Sequence, residues 1–390
     1  MPTLSSLLLG IALVAIAFQI AGIAAYLFFH FFKAPAAKAE GPFPGVTLFK
    51  PVYLWDDGED RNYLEFFEQD YPGPWEILFV AARETDPAVA HVRAFLKRYP
   101  HVDARLVISE PRAKQAWFPK IDSTFDAMKL AKHDVFIISD SDAQVHRDYL
   151  RRMVSALDEP GVSVVSTPQW DTDVTSAGGA WKCLGNNADS AVFVLLAYYA
   201  RPVRGFALGQ SVGFRLSDFN ALPADRFDFI RRYFAEDLAY ARVFTRSGRR
   251  SVLRNIYCPV SFVGKTWRHA HAQKVRWLTN QRIETGNAVA YLSAVLFYPV
   301  VPALLAWALT PSATAAWVVA AAVGVRILAA ALVEALYLRS LRVTLRYFWT
   351  VPLWDLAQAF YIPWGFFKRR LYYQGRAFRV VDRYFYEEVN

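Results

Sequence analysis

The first part of the chain is a long apolar segment. No Lys, Arg, Asp or Glu occurs from Leu4 to Phe32, and this run exceeds the roughly 20 residues that span a bilayer. It is also too long for the apolar core of a signal peptide. We therefore predict an uncleaved transmembrane anchor over residues 1–33. Lys33 and Lys38 follow the run, so the positive-inside rule places its C-terminal end in the cytosol.

The pattern then changes to short apolar runs that alternate with amphipathic ones. After a linker over 34–44, five runs have the length and β-branched content of strands, and the stretches 87–99 and 123–132 have helical spacing. Strands that alternate with helices predict an α/β domain, over 45–285, with a mostly parallel sheet covered on both faces. Ligands of such sheets bind beyond the carboxyl ends of the strands. The predicted strands are 45–51, 75–81, 103–108, 135–139 and 161–167.

Three further apolar runs follow this domain, at 289–309, 313–338 and 348–367. The first two have the length of membrane-spanning helices. We predict membrane helices over 286–367 and a basic, aromatic, cytosolic tail over 368–390.

The last of these runs has features that oppose a full crossing. Pro352 and Pro363 are expected to break a continuous helix, and Asp355 would cost roughly 2.5–3.5 kcal/mol at the bilayer centre unless shielded. A full crossing would also place the basic tail outside, against the positive-inside rule. We therefore predict an interfacial or re-entrant last segment with a cytosolic C-terminus.

The composition agrees with a protein of two parts. Hydrophobic residues make up 54% of the chain and charged residues 20%, which is too apolar for a typical soluble enzyme and too charged for an all-membrane bundle. The net charge of +9 suits a nucleic acid, an anionic nucleotide or an anionic lipid surface. Because basic residues crowd beside the apolar runs, we favour the last two partners and expect no nucleic acid. The two cysteines can build neither a disulfide framework nor a zinc cluster.

The strongest chemical signal is Asp140-Ser141-Asp142, directly after the apolar run at 135–139. Two carboxylates at the end of a buried strand would project into the ligand crevice. There they can bind a divalent cation, Mg²⁺ or Mn²⁺, that bridges a diphosphate and neutralises charge on a departing nucleotide. The alternative is an acidic loop that caps the next helix.

Two further residues fit a donor pocket at the same edge of the sheet. Asp86 can accept a hydrogen bond from a base or ribose, or it can simply cap the helix that begins at Pro87. Lys120 can neutralise phosphate, whereas a solvated surface position is the usual one for a lone lysine.

Two motifs nearer the C-terminus can take part in catalysis. Glu236 and Asp237 stand at a predicted helix start, where a carboxylate can act as a general base or simply favour the helix dipole. Gln273, Arg276 and Trp277 share one helical face, on which Arg can bind a diphosphate bidentately and Trp can line an apolar acceptor channel. The alternative for this face is an interfacial Trp and a positive-inside Arg beside a membrane helix.

In this order, the motifs resemble the ceramide glucosyltransferases, the family 21 glycosyltransferases, which are related to the larger family 2. The likeness covers roughly residues 44–277 and includes PGVTLFKP, FFEQDYP, ETDPA, RYPHVDARL, PKI and FAEDLAYA. It implies a GT-A fold, a UDP-sugar donor and inversion at the anomeric carbon, with Asp237 as the catalytic base. The resulting expectations are donor binding by Asp86, Lys120 and Asp140, a divalent metal on Asp140 and Asp142, and catalysis by Asp237, Gln273, Arg276 and Trp277.

The sequence also departs from the family pattern. The family often lacks an acid at the position of Asp142, so a full Asp-x-Asp strengthens the metal interpretation. KPVYL at 50–54 stands where the family often has Lys-Pro-Leu-Lys-Gly, and KIDS at 120–123 replaces Lys-Ile-Asn-Asn. Both stretches are expected near the donor pocket, so the identity of the sugar stays open.

The expected function is the transfer of one sugar, glucose by the resemblance, from a UDP-sugar to the primary hydroxyl of ceramide, which forms a β-glycosyl lipid. A hopanoid or another lipid stays open as acceptor. A processive polysaccharide synthase is a rival, although such enzymes thread their product through more spanning helices than this chain offers. In a second rival, a non-enzymatic scaffold or transport subunit, Arg326 and Glu334 could be transport residues; we expect them instead to pair with each other or with neighbouring helices. The expected setting is a multi-pass membrane protein with a cytosolic catalytic domain, in a bacterial inner membrane rather than the Golgi.

Overall fold

The computed structural model describes residues 3–55, 59–109, 119–200, 205–233, 235–368, 370–373, 376–382 and 385–389. In these ranges the α-helices are α1 (Leu4–Phe32), α2 (Glu59–Phe67), α3 (Pro87–Arg98), α4 (Pro119–Leu130), α5 (Tyr149–Leu157), α6 (Ala177–Asp189), α7 (Leu195–Ala200), α8 (Leu216–Asn220), α9 (Arg226–Arg232), α10 (Glu236–Arg246), α11 (Trp267–Thr285), α12 (Ala288–Ser293), α13 (Val300–Leu309), α14 (Ala313–Leu336), α15 (Arg342–Tyr347) and α16 (Thr350–Phe367). A π-helix (Ser190–Val194) joins α6 to α7, and a 3₁₀-helix (Ala294–Phe297) follows α12. The strands are β1 (Val46–Val52), β2 (Trp75–Ala81), β3 (Ala104–Ile108), β4 (Val135–Ser139), β5 (Val162–Ser166), β6 (Asp171–Thr172), β7 (Ser211–Arg215), β8 (Arg250–Leu253), β9 (Val260–Ser261), β10 (Arg370–Tyr373), β11 (Arg376–Asp382) and β12 (Phe385–Glu388).

Seven strands form one mixed sheet in the order β3-β2-β1-β4-β7-β5-β8. All its pairings are parallel except those of β7, which runs antiparallel to β4 and β5. In β4, Phe136 and Ile138 enter one apolar core while Val135 and Ile137 enter the core on the opposite face. Burial on both faces explains why this strand is continuously apolar. The predicted α/β fold with a mostly parallel sheet is confirmed.

The five predicted strands are confirmed to within one residue at each end, as β1 to β5. Two strands of the sheet, β7 and β8, were not predicted. A glycine interrupts the apolar pattern of β7, where a Cβ on Gly213 would lie 2.8 Å from the Met153 side chain of α5. Such close approach is a common reason for glycine inside a strand.

In the described part of the chain, α1 and α14 are long and apolar enough to cross a membrane. The predicted span 289–309 is bent: the helical segments Ala288–Phe297 and Val300–Leu309 meet at 69°, and they make a third crossing only if the bent pair is one span. The chain is therefore built as a membrane protein, with two or three candidate crossings.

The prediction that prolines break the last apolar segment is wrong, since α16 is one continuous helix. Pro352 falls in its first turn, where a backbone N–H has no intrahelical acceptor, and Pro363 lies near its end. Asp355 is fully buried and forms an ion pair with Arg326, at 2.9 Å, so its charge is compensated.

Of the two alternatives for Arg326 and Glu334, pairing with neighbouring helices is confirmed and pairing with each other is wrong. Arg326 forms ion pairs with Asp189 of α6 and Asp355 of α16. Glu334 accepts hydrogen bonds from two backbone amides at the start of α15. Each of these buried charges has partners, since an uncompensated charge in the protein interior would be costly.

The tail forms a three-stranded antiparallel sheet in the order β10-β11-β12, which was not predicted. Phe378 of β11 is fully buried in the same apolar core as Phe125 of α4 and Ile283 of α11. The tail therefore folds back onto the α/β domain.

Candidate active site

A cavity of about 330 Å³ opens at the carboxyl ends of β1, β2 and β4. This edge is where a parallel sheet presents its ligand site. The side chains that line the cavity include Tyr53, Lys120, Asp140, Asp142, Gln210, Glu236, Asp237, Gln273, Arg276, Trp277 and Asn280. All but one of the expected site residues thus meet here, the exception being Asp86.

Buried or half-buried lysines hold the Asp140–Asp142 turn in place. Lys50 of β1 is fully buried and donates a hydrogen bond of 2.9 Å to the carbonyl oxygen of Asp140. Lys265 donates a hydrogen bond of 3.2 Å to Asp142 Oδ2. Sequence reasoning expected the stretch that begins at Lys50 near the donor pocket but singled out neither lysine, because only the fold brings residues so distant in sequence to this turn.

Lys120 joins two acidic residues of the cavity. Its Nζ lies 2.6 Å from Asp140 Oδ1 and 3.2 Å from Glu236 Oε1. Burial alone would lower the pKa of Lys120, but the two carboxylates raise it above its usual value, so the ammonium keeps its charge. Burial also raises the pKa of Asp140, against the effect of Lys120 and together with that of nearby Asp142.

Asp237 is the second residue of α10 and accepts a hydrogen bond of 2.8 Å from the backbone amide of Leu238. Burial raises the pKa of Asp237 to about 7, and the neighbouring Glu236 adds to the rise. A carboxylate with a pKa near neutrality suits a general base. Gly209 faces it closely: a Cβ there would lie 3.3 Å from Asp237 Oδ2, so glycine leaves room beside the carboxylate.

Helix α11 supplies the opposite wall of the cavity. Gln273, Arg276, Trp277 and Asn280 recur at spacings of three to four residues, which places them on one face of the helix. Asn280 continues the face by one turn and was not singled out from the sequence. The wall combines amide groups, a cation and an aromatic ring.

Asp86 is not among the residues that line the cavity. It caps α3, where its Oδ1 accepts a hydrogen bond of 3.0 Å from the backbone amide of Ala88. The same oxygen accepts a bond of 2.9 Å from the amide of Leu54, which has a φ of +57°. Asp86 thereby fixes the loop that carries Tyr53 to the cavity.

The donor set at the turn fits a hard divalent cation. Asp140 and Asp142 offer carboxylate oxygens, each with only one oxygen bonded to the lysine that faces it. Among the described residues no group of three or more His, Cys, Asp or Glu could hold a metal. Two carboxylates match Mg²⁺ or Mn²⁺ bound largely through water and substrate phosphates.

Two solved structures resemble the fold at low sequence identity. A mannosyltransferase from Pyrobaculum calidifontis, in complex with GDP-Man and Mn²⁺, matches 91% of this chain and 99% of its own, with a TM-score of 0.45 and 20% identity. Staphylococcus aureus TarS 1–349, in complex with UDP-GlcNAc, matches 87% and 99%, with a TM-score of 0.40 and 14% identity. At TM-scores this low, neither likeness bears on ligand or chemistry.

Sequence comparison gives the family. A ceramide glucosyltransferase of Komagataella phaffii is 30% identical over 141 residues, or 35% of this chain and 28% of the relative. Ceramide glucosyltransferase 1 of Caenorhabditis elegans is 23% identical over 221 residues, or 54% of this chain and 44% of the relative. The chain therefore matches less than half of the length of either relative. The sequence profile of glycosyl transferase family 21 matches residues 8–384, nearly the whole chain, and the protein is a glycosyltransferase of family 21.

Proposed function

We propose that this enzyme transfers one glucose from UDP-glucose to the primary hydroxyl of ceramide, with inversion at the anomeric carbon. One observation carries the proposal. A half-buried carboxylate with a pKa near neutrality, Asp237, shares a single cavity with the Asp140–Asp142 turn and with Arg276 and Trp277. The cavity thus holds a candidate base, a candidate metal site and a candidate binding site for the diphosphate.

The UDP-sugar lies across the strand ends in this proposal. Asp140 and Asp142 would hold Mg²⁺ or Mn²⁺, which when bound neutralises charge on the diphosphate. Lys120 and Arg276 add two fixed positive charges to the same cavity, and the planar guanidinium can bind phosphate oxygens bidentately. Asp86 contributes to donor binding indirectly, through the Leu54 amide that fixes the loop of Tyr53.

Asp237 takes the proton from the acceptor hydroxyl. The hydroxyl oxygen then attacks the anomeric carbon from the face opposite UDP, the bond to the UDP oxygen breaks, and UDP leaves with the electron pair. One displacement converts an α-linked donor into a β-glycoside without a covalent enzyme intermediate. Gln273 and Trp277, on the wall beside Arg276, orient the acceptor and shield it from water.

Membrane anchoring places the enzyme close to its second substrate, the lipid. The helices α1 and α14 hold the catalytic domain at the plane where a lipid headgroup resides, which raises the encounter frequency of the two reactants. Lys33 and Lys38 after α1 favour a cytosolic catalytic domain. From composition alone we favour the inner membrane of a bacterium.

The test is a matrix of donors and acceptors on the full chain in lipid nanodiscs, with UDP release and lipid products measured together. UDP-glucose, UDP-galactose, UDP-glucuronate and UDP-N-acetylglucosamine are each combined with ceramide, diacylglycerol or a hopanoid. The proposal expects UDP-glucose and ceramide to give the highest kcat/KM and one sugar per lipid. A different best pair would overturn the substrate assignment, and a ladder of longer products would indicate a processive synthase.

A further inference from the structure

A charge-balanced cluster lies buried where the membrane helices meet the catalytic domain. Its ionisable groups are Lys274 of α11, Arg326 of α14, Asp189 of α6 and Asp355 of α16, and none of these residues is more than 8% exposed. With all four groups ionised, two positive and two negative charges cancel. Removing one partner of a buried pair leaves an uncompensated charge, so each contact in the cluster constrains the helices that make it.

Asp189 is the centre of the cluster and receives hydrogen bonds from three helices and from Tyr298, which lies between the 3₁₀-helix and α13. Its Oδ1 accepts a bond of 2.6 Å from Arg326. Its Oδ2 accepts bonds from Lys274 at 3.3 Å, from the Tyr298 hydroxyl at 3.0 Å and from the Trp354 indole at 2.9 Å. Asp189 ends α6, and the π-helix begins at the next residue, a distortion that is frequent at functional sites.

Lys274 connects this cluster to the active site. It lies between Gln273 and Arg276 on α11, but it is buried toward α6, whereas those two neighbours line the cavity. A second contact acts in the same direction: the Lys182 ammonium of α6 lies 5.0 Å from the centroid of the Trp277 ring. Helix α6 therefore contacts α11 at two points directly behind its catalytic face.

We propose that Lys274 is a positioning residue for sugar transfer. Its ion pair with Asp189 fixes α11 against α6, which Arg326 connects to α14, so that Gln273, Arg276 and Trp277 face the donor at the level where a lipid presents its hydroxyl. Displacement of reacting groups by about 1 Å can cost about 10²-fold in rate, so the anchoring of this helix is reflected in kcat. The effect on sugar transfer rests on the proposed function, whereas the anchoring of α11 by Lys274 rests only on the observed contacts.

The cluster offers a matched control. Tyr298→Phe removes one hydrogen bond to the same Asp189 oxygen, but from a position between the 3₁₀-helix and α13, neither of which lines the cavity. Lys274→Met removes the bond from α11 and leaves a net negative charge. Lys274→Met combined with Asp355→Asn restores neutrality, and the carboxamide oxygen can keep the hydrogen bond that Asp355 Oδ1 accepts from Arg326.

The experiment measures apparent Tm, UDP affinity, kcat and backbone hydrogen exchange of α11 for the full chain in nanodiscs. Lys274→Met and Tyr298→Phe should both lower Tm. Lys274→Met should lower kcat at least about tenfold and speed exchange around Trp277, with UDP affinity within about threefold of the parent. Tyr298→Phe should keep kcat within about threefold. The double variant should recover Tm but neither kcat nor protection of α11.

Three results would overturn the inference. The first is a folded Lys274→Met enzyme with parental kcat and exchange. The second is a double variant that recovers kcat together with Tm, which makes the role of Lys274 purely structural. The third is an equal loss of kcat in Tyr298→Phe. If the parent transfers no sugar, the proposed function fails, and hydrogen exchange of α11 alone then decides the positioning role.

Discussion

The Lys120 ammonium lies 2.6 Å from Asp140 Oδ1, inside the cavity. This contact leaves the other Asp140 oxygen for a cation and keeps one positive charge next to the acidic turn. Because Lys120 also contacts Glu236, it connects the turn after β4 with the start of α10, where Asp237 lies. Lys120 therefore contacts both the acidic turn, where the diphosphate is proposed to bind, and the start of the helix that carries the proposed catalytic base.

Lys120→Met should weaken both ends of the site. It removes the positive charge that offsets Asp140 and Glu236, so the net negative charge of the cavity rises and the affinity for UDP falls. We expect UDP to bind at least about tenfold more weakly, which corresponds to about 1.4 kcal/mol. Isothermal titration with UDP measures this, with Lys129→Met on the exposed side of α4 as control. UDP affinity in Lys120→Met equal to that of the control would show that Lys120 takes no part in donor binding.

The raised pKa of Asp237 predicts opposite effects of pH on activity and on stability. Because its pKa is raised to about 7, the base becomes protonated and kcat/KM falls as pH decreases through about 7. In the folded state Asp237 binds its proton more tightly than in the unfolded state, so stability falls as pH rises from about 4 to 7. Asp237→Asn removes this ionisation, and it should raise the apparent Tm above pH 7 while lowering kcat about 10²–10⁴-fold.

The control for this variant is UDP binding, which Asn should leave largely unchanged because it keeps the shape of the side chain. The measurements are a pH–rate profile and thermal unfolding at pH 5 and pH 8 for both proteins. Near-normal turnover of Asp237→Asn at saturating donor would remove Asp237 from the role of base.

Asp142→Ala should remove the metal dependence of transfer together with most activity. Two carboxylates give a modest hold on Mg²⁺ or Mn²⁺, so EDTA should inactivate the parent and added metal should restore it. Asp148→Ala removes a half-buried acid before α5 that pairs with Arg152 outside the cavity, and it serves as control for the loss of one acid. If EDTA left the activity of the parent unchanged, Asp142 would not bind a catalytic metal, and its role would be limited to the hydrogen bond with Lys265.

The C-terminus should lie on the same side of the membrane as the catalytic domain. Phe378 of the tail is buried in a core shared with Phe125 and Ile283, which an opposite location would forbid. A protease-cleavable tag after Asn390 should therefore be accessible only from the cytosolic side of oriented vesicles. Accessibility from the other side alone would mean that α16 crosses fully and that this packing does not form.

The parts of the fold that follow from local pattern were predictable. The run that became β4 is short, apolar and β-branched, and the carboxylates directly after it had to emerge at the ligand edge of a parallel sheet. The Gln273, Arg276 and Trp277 face followed from helical spacing alone. These predictions needed no knowledge of distant contacts.

The parts that depend on distant contacts were not predictable. Lys50 is a lysine in the middle of an apolar strand, and only the neighbouring strand reveals that it donates to Asp140. Asp355 was interpreted as an obstacle to a full membrane crossing, because a single chain segment does not show that Arg326 compensates its charge. The strands of the tail have too few apolar residues in alternation to be distinguished from an irregular basic segment.

Analysis of the lipid product tests the central claim most directly. The enzyme in nanodiscs receives UDP-α-glucose and ceramide, and the product is examined by mass spectrometry for sugar number and by proton NMR for the anomeric coupling. The account predicts one glucose per ceramide in β linkage, with one UDP released per product, and no product from Asp237→Asn. An α-linked product, or UDP released without any glycosylated lipid, would contradict it.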